Sequence, residues 1–324
     1  MSDNDNPRPA GRWRGWLFPA LVLAGALLAV VMAMRPPAPP RIDTAAVVPE
    51  TPANAASGAA PLRVAIAAMI SPERTAQSYA RLMQLIGERA GRPVEIFQRK
   101  TYAEVNALLE KREIDLAFVC AGAYVDGRER FGMELLAVPV VHGAKVYHSY
   151  ILVPRDSPAR RFEDLRGKRF AFTDPKSNTG ALVPRYMLAQ RNETPQGFFA
   201  DSFFTYSHDN SIHAVATGLT DGAAVDSLIW EYLDATDSVD TARTRIVEKS
   251  PPYGIPPVVV HPAADAAFKA RLRDILFGLH RDAGAAALLK TLQIERFEAG
   301  DDAMYDGVRQ MERWLRDRAR SGAP

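Results

Sequence analysis

RVAIAAMISPERTAQSYARLMQLIGERAGRPVEIFQR, Arg63–Arg99, reads as strand, helix, strand. RVAIAA (Arg63–Ala68) is a short apolar run of strand length. Ser71-Pro72-Glu73 reads as a helix start, with Ser71 as cap and Pro72 in the first position. Tyr79, Leu82, Met83 and Ile86 then recur at helical spacing, and Gly91 ends the helix. VEIFQR (Val94–Arg99) is the second strand. A helix between two strands is a crossover, which implies a parallel sheet.

The alternation continues toward the C-terminus. Thr101-x-x-Glu104 forms a capping box ahead of Val105, Leu108 and Leu109. DLAFVC (Asp115–Cys120) reads as a buried strand from its apolar run. LLAVPVV (Leu135–Val141) and SYILVP (Ser149–Pro154) follow as extended segments. KRFAFT (Lys168–Thr173) opens a second series, continued by DSFFTYS (Asp201–Ser207), a helix from about Asn210, and AAVDS (Ala223–Ser227). RIVEK and PPVVVHP are late strands, and three helices close the chain, the last reaching about Arg318. Two such series joined in this order predict an α/β protein of two lobes with a cleft between them.

Toward the N-terminus the composition changes twice. Trp16–Met34 is 19 residues without a charge, about the length of a bilayer-spanning helix. Arg8, Arg12 and Arg14 precede it and favour a cytoplasmic N-terminus for residues 1–15. A cleaved signal peptide is the alternative, but the run ends MAM-RPPAPP, a poor cleavage site. Residues 35–62 hold seven Pro and eight Ala and almost no large apolar side chain, so they read as an extended tether. On either reading the remainder lies outside the cytoplasm, anchored at the inner membrane through 16–34 if the segment is retained.

Charge and cysteine content exclude several classes. The chain carries 40 basic and 38 acidic residues, and from residue 63 onward 35 and 34. A protein that neutralises phosphates along nucleic acid needs a basic excess or basic clusters, so no nucleic-acid partner is expected. The single cysteine, Cys120, builds neither an internal disulfide nor a Cys-rich metal site. No metal and no cofactor are expected: the six histidines form no H-E-x-x-H, and neither a P-loop nor G-x-G-x-x-G is present.

Ligands in open α/β sheets sit beyond the carboxyl ends of the strands. After Thr173 come Asp174-Pro175-Lys176-Ser177-Asn178-Thr179-Gly180 and then a helix. Backbone N–H groups, the helix dipole and two hydroxyls favour an anion there, although the same residues also make a plain N-cap. His208 follows the strand DSFFTYS, Asp226 follows AAV, and Cys120 follows DLAFV. Ser177, His208 and Asp226 have the residue types of a hydrolytic triad, but no G-x-S-x-G surrounds Ser177, and no enzymatic activity is expected.

From about Arg63 to Leu315 the chain resembles the phosphate/phosphite/phosphonate-binding proteins of ABC importers, the PhnD-type family. The motifs that carry the likeness are TYAEVNALLEKREIDLAFV with Tyr124-Val125, YHSYILVPRDSP, FEDLRGKRFAFTDPKSNTG, YSHDNSIHAVATGLTDGAAVDS and PPVVVHP, in that order. The resemblance implies a type II periplasmic binding protein, two lobes joined by two crossing strands that close on a small oxyanion. The expected lobes are 63–149 with 256–318, and 150–255. The family's oxyanion loop falls on Ser177, Asn178 and Thr179, its histidine on His208, its tyrosines on Tyr102 and Tyr147, and its carboxylate on Asp226. That carboxylate accepts from a protonated ligand oxygen, while hydroxyls and amides donate to the others. The partner implied is an ABC permease.

One place departs from the family. Members usually carry Gly-Pro where this chain has Cys120-Ala121-Gly122. Gly122 suits close approach of a ligand, and Cys120 is either a small buried hydrophobe or a soft ligand at the cleft floor. The second option resembles the arsenite-sensing branch of the family, which signals to a membrane histidine kinase. Around Pro251-Pro252-Tyr253 no second carboxylate stands ready for an ammonium group.

Overall fold

A computed structural model describes residues Ala60–Gly322. The stretch 1–15, the expected span 16–34 and most of the tether 35–62 lie outside the described residues. Among the described residues no helix is long and apolar enough to cross a membrane.

The opening strand–helix–strand unit comprises β1 (Leu62–Ile66), α1 (Pro72–Ala90) and β2 (Val94–Phe97), with β1 and β2 parallel. Gly91 takes φ 66°, the left-handed conformation that ends α1. Next come α2 (Tyr102–Glu110), β3 (Leu116–Phe118), α3 (Ala121–Phe131) and β4 (Glu134–Val140). The capping box forms: Thr101 Oγ1 accepts from the Glu104 amide and Glu104 accepts from the Thr101 amide. Leu62, Val64 and Ile66 enter the core on one face of the sheet, and Ala65 enters the core on the other. Apolar cover on both faces is what a parallel sheet requires.

The chain then crosses. β5 (Val146–Tyr147) leads directly into β6 (Ser149–Pro154), followed by β7 (Arg169–Phe172), α4 (Val183–Ala189) and β8 (Asp201–Phe204). After these come α5 (His208–Ala216), β9 (Gly222–Asp226), α6 (Ser227–Thr236) and β10 (Thr244–Lys249). These strands form a second sheet in the order β10-β6-β9-β7-β8. The return runs through β11 (Tyr253–Gly254), which pairs antiparallel with β5, Tyr253 opposite Tyr147. β12 (Val258–Val260) inserts between β3 and β4, antiparallel to both. Helices α7 (Ala266–Gly278) and α8 (Ala283–Thr291), strand β13 (Arg296–Glu298) and helix α9 (Asp306–Arg320) complete the chain. The first sheet is therefore β13-β4-β12-β3-β1-β2.

Two details depart from the sequence reading. β13 was not foreseen, because three residues between helices carry no period; their pairing with β4 specifies them. Helix α9 buries Val308 and Met311 in the first-sheet core, yet Trp314 also packs edge-on against Tyr186 of α4, ring centres 5.1 Å apart. The last helix thus touches both lobes.

Candidate functional site

The ends of β1, β3, β7, β8 and β9 face one another across the lobes. The Met69 carbonyl, beyond β1, accepts the His208 amide at 3.0 Å, and Asp209 Oδ1 accepts the Ser71 amide at 2.9 Å. Asp174, beyond β7, accepts the Tyr102 amide at 3.1 Å. Lys176 pairs with Asp126 of α3 at 2.6 Å. The lobes are shut on each other at this end.

The loop after β7 shows how. Ser177 is the N-cap of a π-turn, Asn178–Leu182, that leads into α4. Its hydroxyl accepts the Gly180 amide at 3.0 Å. The Leu182 amide reaches back five residues to the Ser177 carbonyl at 2.9 Å, which widens the first turn. Thr179 is anchored through its carbonyl, which accepts from Ser149 Oγ at 2.6 Å. The Asn178 amide donates to Cys120 Sγ at 3.5 Å, and Asn178 Nδ2 donates to the Tyr147 hydroxyl at 3.1 Å. Two of the three amides from Asn178 to Gly180, expected to serve a ligand, are thus taken by the protein itself.

Gly122 also has a different part from the one its position suggested. A Cβ there would lie 2.4 Å from the Lys176 carbonyl oxygen and 3.0 Å from the Asn178 nitrogen. The close approach is by the backbone of the other lobe.

His208 begins α5 after Tyr206, whose φ of 63° turns the chain sharply out of β8. His208 Nδ1 accepts the Asp226 amide at 3.0 Å. A neutral imidazole with an accepting Nδ1 carries its proton on Nε2. Burial holds the ring neutral, its pKa pushed down to about 3. His208 Nε2–H is therefore a fixed, uncharged donor, and it has no partner among the described residues.

The same is true of Thr179 Oγ1, the Tyr102 hydroxyl and Asn178 Oδ1: all are buried and none has a hydrogen-bond partner among the described residues. Buried polar atoms are rarely left so, since each costs about 1–3 kcal/mol. Four such atoms belong to four of the residues singled out in the sequence.

The remaining three are placed as follows. Asp226 ends β9 and caps α6, its Oδ1 accepting the Leu228 amide at 2.8 Å. Burial raises its pKa to about 7, partly offset by the Leu228 and Ile229 amides. Tyr147 lies in the crossing strand β5, its hydroxyl 3.7 Å from Cys120 Sγ. Cys120 is the N-cap of α3 and fully buried. Burial pushes its thiol up, against the amides of Asn178 and Gly122, so the sulfur is protonated.

Asp174, Lys176, Asp126 and Ser149 escaped the sequence reading. Asp174 is buried, and burial raises its pKa against the amides of Lys176 and Tyr102. Its signal was its place directly after β7; the Lys176–Asp126 pair spans 50 residues and leaves no local trace.

Chemically, the arrangement offers neutral donors at helix starts. Cys120, Ser177, Ser207 and Asp226 are all N-caps. Helix N-termini and uncharged donors suit a small anion without a buried cation.

Comparisons with known proteins give the chain's family and fold. Residues 64–305 match the family model described as ABC transporter, phosphonate, periplasmic substrate-binding protein. The chain is similar to the phosphonates-binding periplasmic protein of Escherichia coli, 23% identical over 81% of this chain and 78% of that one. It is also similar to the phosphate-import protein PhnD of Mycolicibacterium smegmatis, 28% identical over 72% and 79%. Among solved structures, a binding-protein component of an ABC phosphonate transporter from Pseudomonas aeruginosa superposes with a TM-score of 0.74 at 26% identity, covering 78% of this chain and 85% of that one. PhnD1 of Prochlorococcus marinus in complex with methylphosphonate shares the fold, with a TM-score of 0.72 at 18% identity over 79% and 98%.

Proposed function

The chain belongs to the family of periplasmic substrate-binding proteins of phosphonate ABC transporters, and from that membership we propose that it captures a small phosphorus oxyanion between its lobes and presents it to the permease while tethered to the inner membrane. It is a binding protein, not an enzyme. The tether is Trp16–Met34 with the Pro/Ala-rich stretch 35–62. The location of the folded part is the periplasm.

The observation that carries the choice of ligand is the set of unpartnered donors on Tyr102, Thr179 and His208. These three donate to the unprotonated oxygens, with the oxyanion loop Ser177–Thr179 around them. Asp226, poised near pH 7, shares one proton with the ligand: its carboxylate accepts from a ligand hydroxyl. Phosphate, phosphite and phosphonates carry such a hydroxyl near neutrality, and sulfate does not.

Titration calorimetry tests this. Thr179→Val and Tyr102→Phe each remove a donor that no atom of the described residues uses. Each is expected to lower phosphite or methylphosphonate affinity about ten- to a hundredfold, the worth of a hydrogen bond to a charged group. Neither lowers thermal stability, since each deletes an unsatisfied buried group. At pH 8, where Asp226 is ionised, sulfate binds at least about a hundredfold more weakly, because it brings no proton for that carboxylate to accept. Unchanged affinity in the double variant, or equal affinity for sulfate, rejects the reading.

Cys120 serves on this account as a packing and accepting group, not as a soft ligand. Its thiol is protonated and its sulfur already takes the Asn178 amide. Cys120→Ser is expected to leave oxyanion affinity within a few-fold, because a hydroxyl oxygen accepts that amide equally well. Arsenite protection against heat that the substitution abolishes would point instead to thiolate chemistry.

A further inference from the structure

A cavity of about 80 Å³ opens beside Asp226. That is nearly three times the volume a water molecule takes in the liquid, about 30 Å³. Its wall is mainly apolar, with Met69, Phe118, Leu228, Ile229, Ile255 and Ile294 prominent. Two residues join it to the oxyanion group. Asp226 lines it, and the Asp226 amide binds His208 Nδ1. Met69 lines it too, and the Met69 carbonyl accepts the His208 amide. The cavity therefore begins one residue away from the donors assigned to the ligand's oxygens.

The wall is poorly suited to a cation. Among the described residues Asp226 is its one acidic group, and no Lys, Arg or Glu lines it. Oδ1 of that carboxyl already takes the Leu228 amide. An ammonium group leaving water needs a countercharge as well as acceptors; Tyr79, Tyr232 and Gln293 of the wall are neutral, and the one carboxyl is already engaged as a cap.

Resting on the oxyanion reading above, we propose that this cavity receives the organic substituent of the ligand, and that the protein selects phosphonates with short apolar tails over ammonium-bearing ones. Phosphite and phosphate fill the polar half alone and leave the cavity unused.

Titration calorimetry on the full-length protein in detergent, with phosphite, methylphosphonate, propylphosphonate and 2-aminoethylphosphonate, tests the proposal. Affinity is expected to rise about fourfold per methylene from methyl to propyl, the transfer value of a buried CH₂. 2-Aminoethylphosphonate matches the propyl compound in size and is expected to bind at least about tenfold more weakly, since its charge loses water without replacement. Val141→Phe, which narrows the cavity from the end of β4, costs the propyl compound at least about tenfold and leaves phosphite within about threefold. A flat series, 2-aminoethylphosphonate binding as tightly as propylphosphonate, or an equal loss for all ligands in Val141→Phe overturns the proposal while the oxyanion reading stands. If none of the four ligands binds, both fall.

Discussion

Asp226→Asn raises the stability of the ligand-free protein at pH 8 by about 4 kcal/mol and leaves it unchanged at pH 3. Burial moves this carboxyl from its ordinary 3.8 to about 7. Below 3.8 the folded and unfolded states both hold the proton, and the group costs nothing. Between 3.8 and 7 the unfolded chain releases it and the folded chain keeps it, so stability falls as pH rises. Above 7 the loss is complete, about three pKa units at about 1.4 kcal/mol each. His208 acts in the opposite sense, its pKa lowered from 6.5 to about 3 by burial. Stability from His208 is present above 6.5 and is lost as pH falls toward 3. In the wild-type protein the two slopes offset each other between about pH 4 and 6.5. In the variant the Asp226 decline is gone, so over that range stability falls by one carboxyl's slope less than in the wild type. Glu312, raised to about 7 by burial and by Glu129, keeps its own smaller decline in both proteins. The Asn side chain still accepts the Leu228 amide, so the cap of α6 survives. Denaturant melts at pH 3, 5 and 8 check this. Equal stability of the two proteins at pH 8 would show that the Asp226 carboxyl is not held as described.

Gly122→Ala is expected to lower oxyanion affinity about five- to a hundredfold without removing any group assigned to the ligand. The added methyl would meet the Lys176 carbonyl at 2.4 Å when the lobes shut. The obstacle is backbone, which cannot rotate aside. Overpacking of this kind costs about 1–3 kcal/mol, and the cost falls only on the closed form, so apparent affinity drops in proportion to its population. Within α3 itself alanine is the better helix residue, so the lobe does not lose stability. Calorimetry with phosphite, together with small-angle scattering with and without it, distinguishes this from misfolding. Wild-type affinity and compaction in the variant would mean that the lobes close in another way.

Much of this protein is legible because its local signals agree with its fold. The run Arg63–Arg99 shows strand and helix periods, a proline at a helix start and a glycine at its end, and all four appear in β1, α1 and β2. Residues at strand ends were legible for a similar reason: Cys120, Ser177 and Asp226 follow short apolar runs. What could not be read is whatever depends on the other lobe. The Asn178 amide looks free in the loop sequence and is taken by Cys120 from 58 positions away. Gly122 looks like room for a ligand and is filled by Lys176. Three residues at Arg296–Glu298 are too few for a period, and only β4 makes them a strand. The His208 tautomer follows from the Asp226 amide, a contact between two strand ends that no spacing encodes.

Tyr147 lies in the ribbon β5–β11 that both crossings of the chain share, and this gives the molecule a fulcrum with a sensor on it. A rotation of the lobes displaces each atom in proportion to its distance from the axis. Near the ribbon, the fully buried trio of Tyr147, Asn178 and Cys120 has the shortest lever arm. The Lys176–Asp126 pair, where the lysine is 40% exposed, belongs to the rim. On that geometry a small opening rotation parts the ion pair further than the tyrosine contact. A ligand too large for the inner end would hold the lip ajar and leave the rim pair unmade, so the outline presented to a permease reports whether the right cargo is seated.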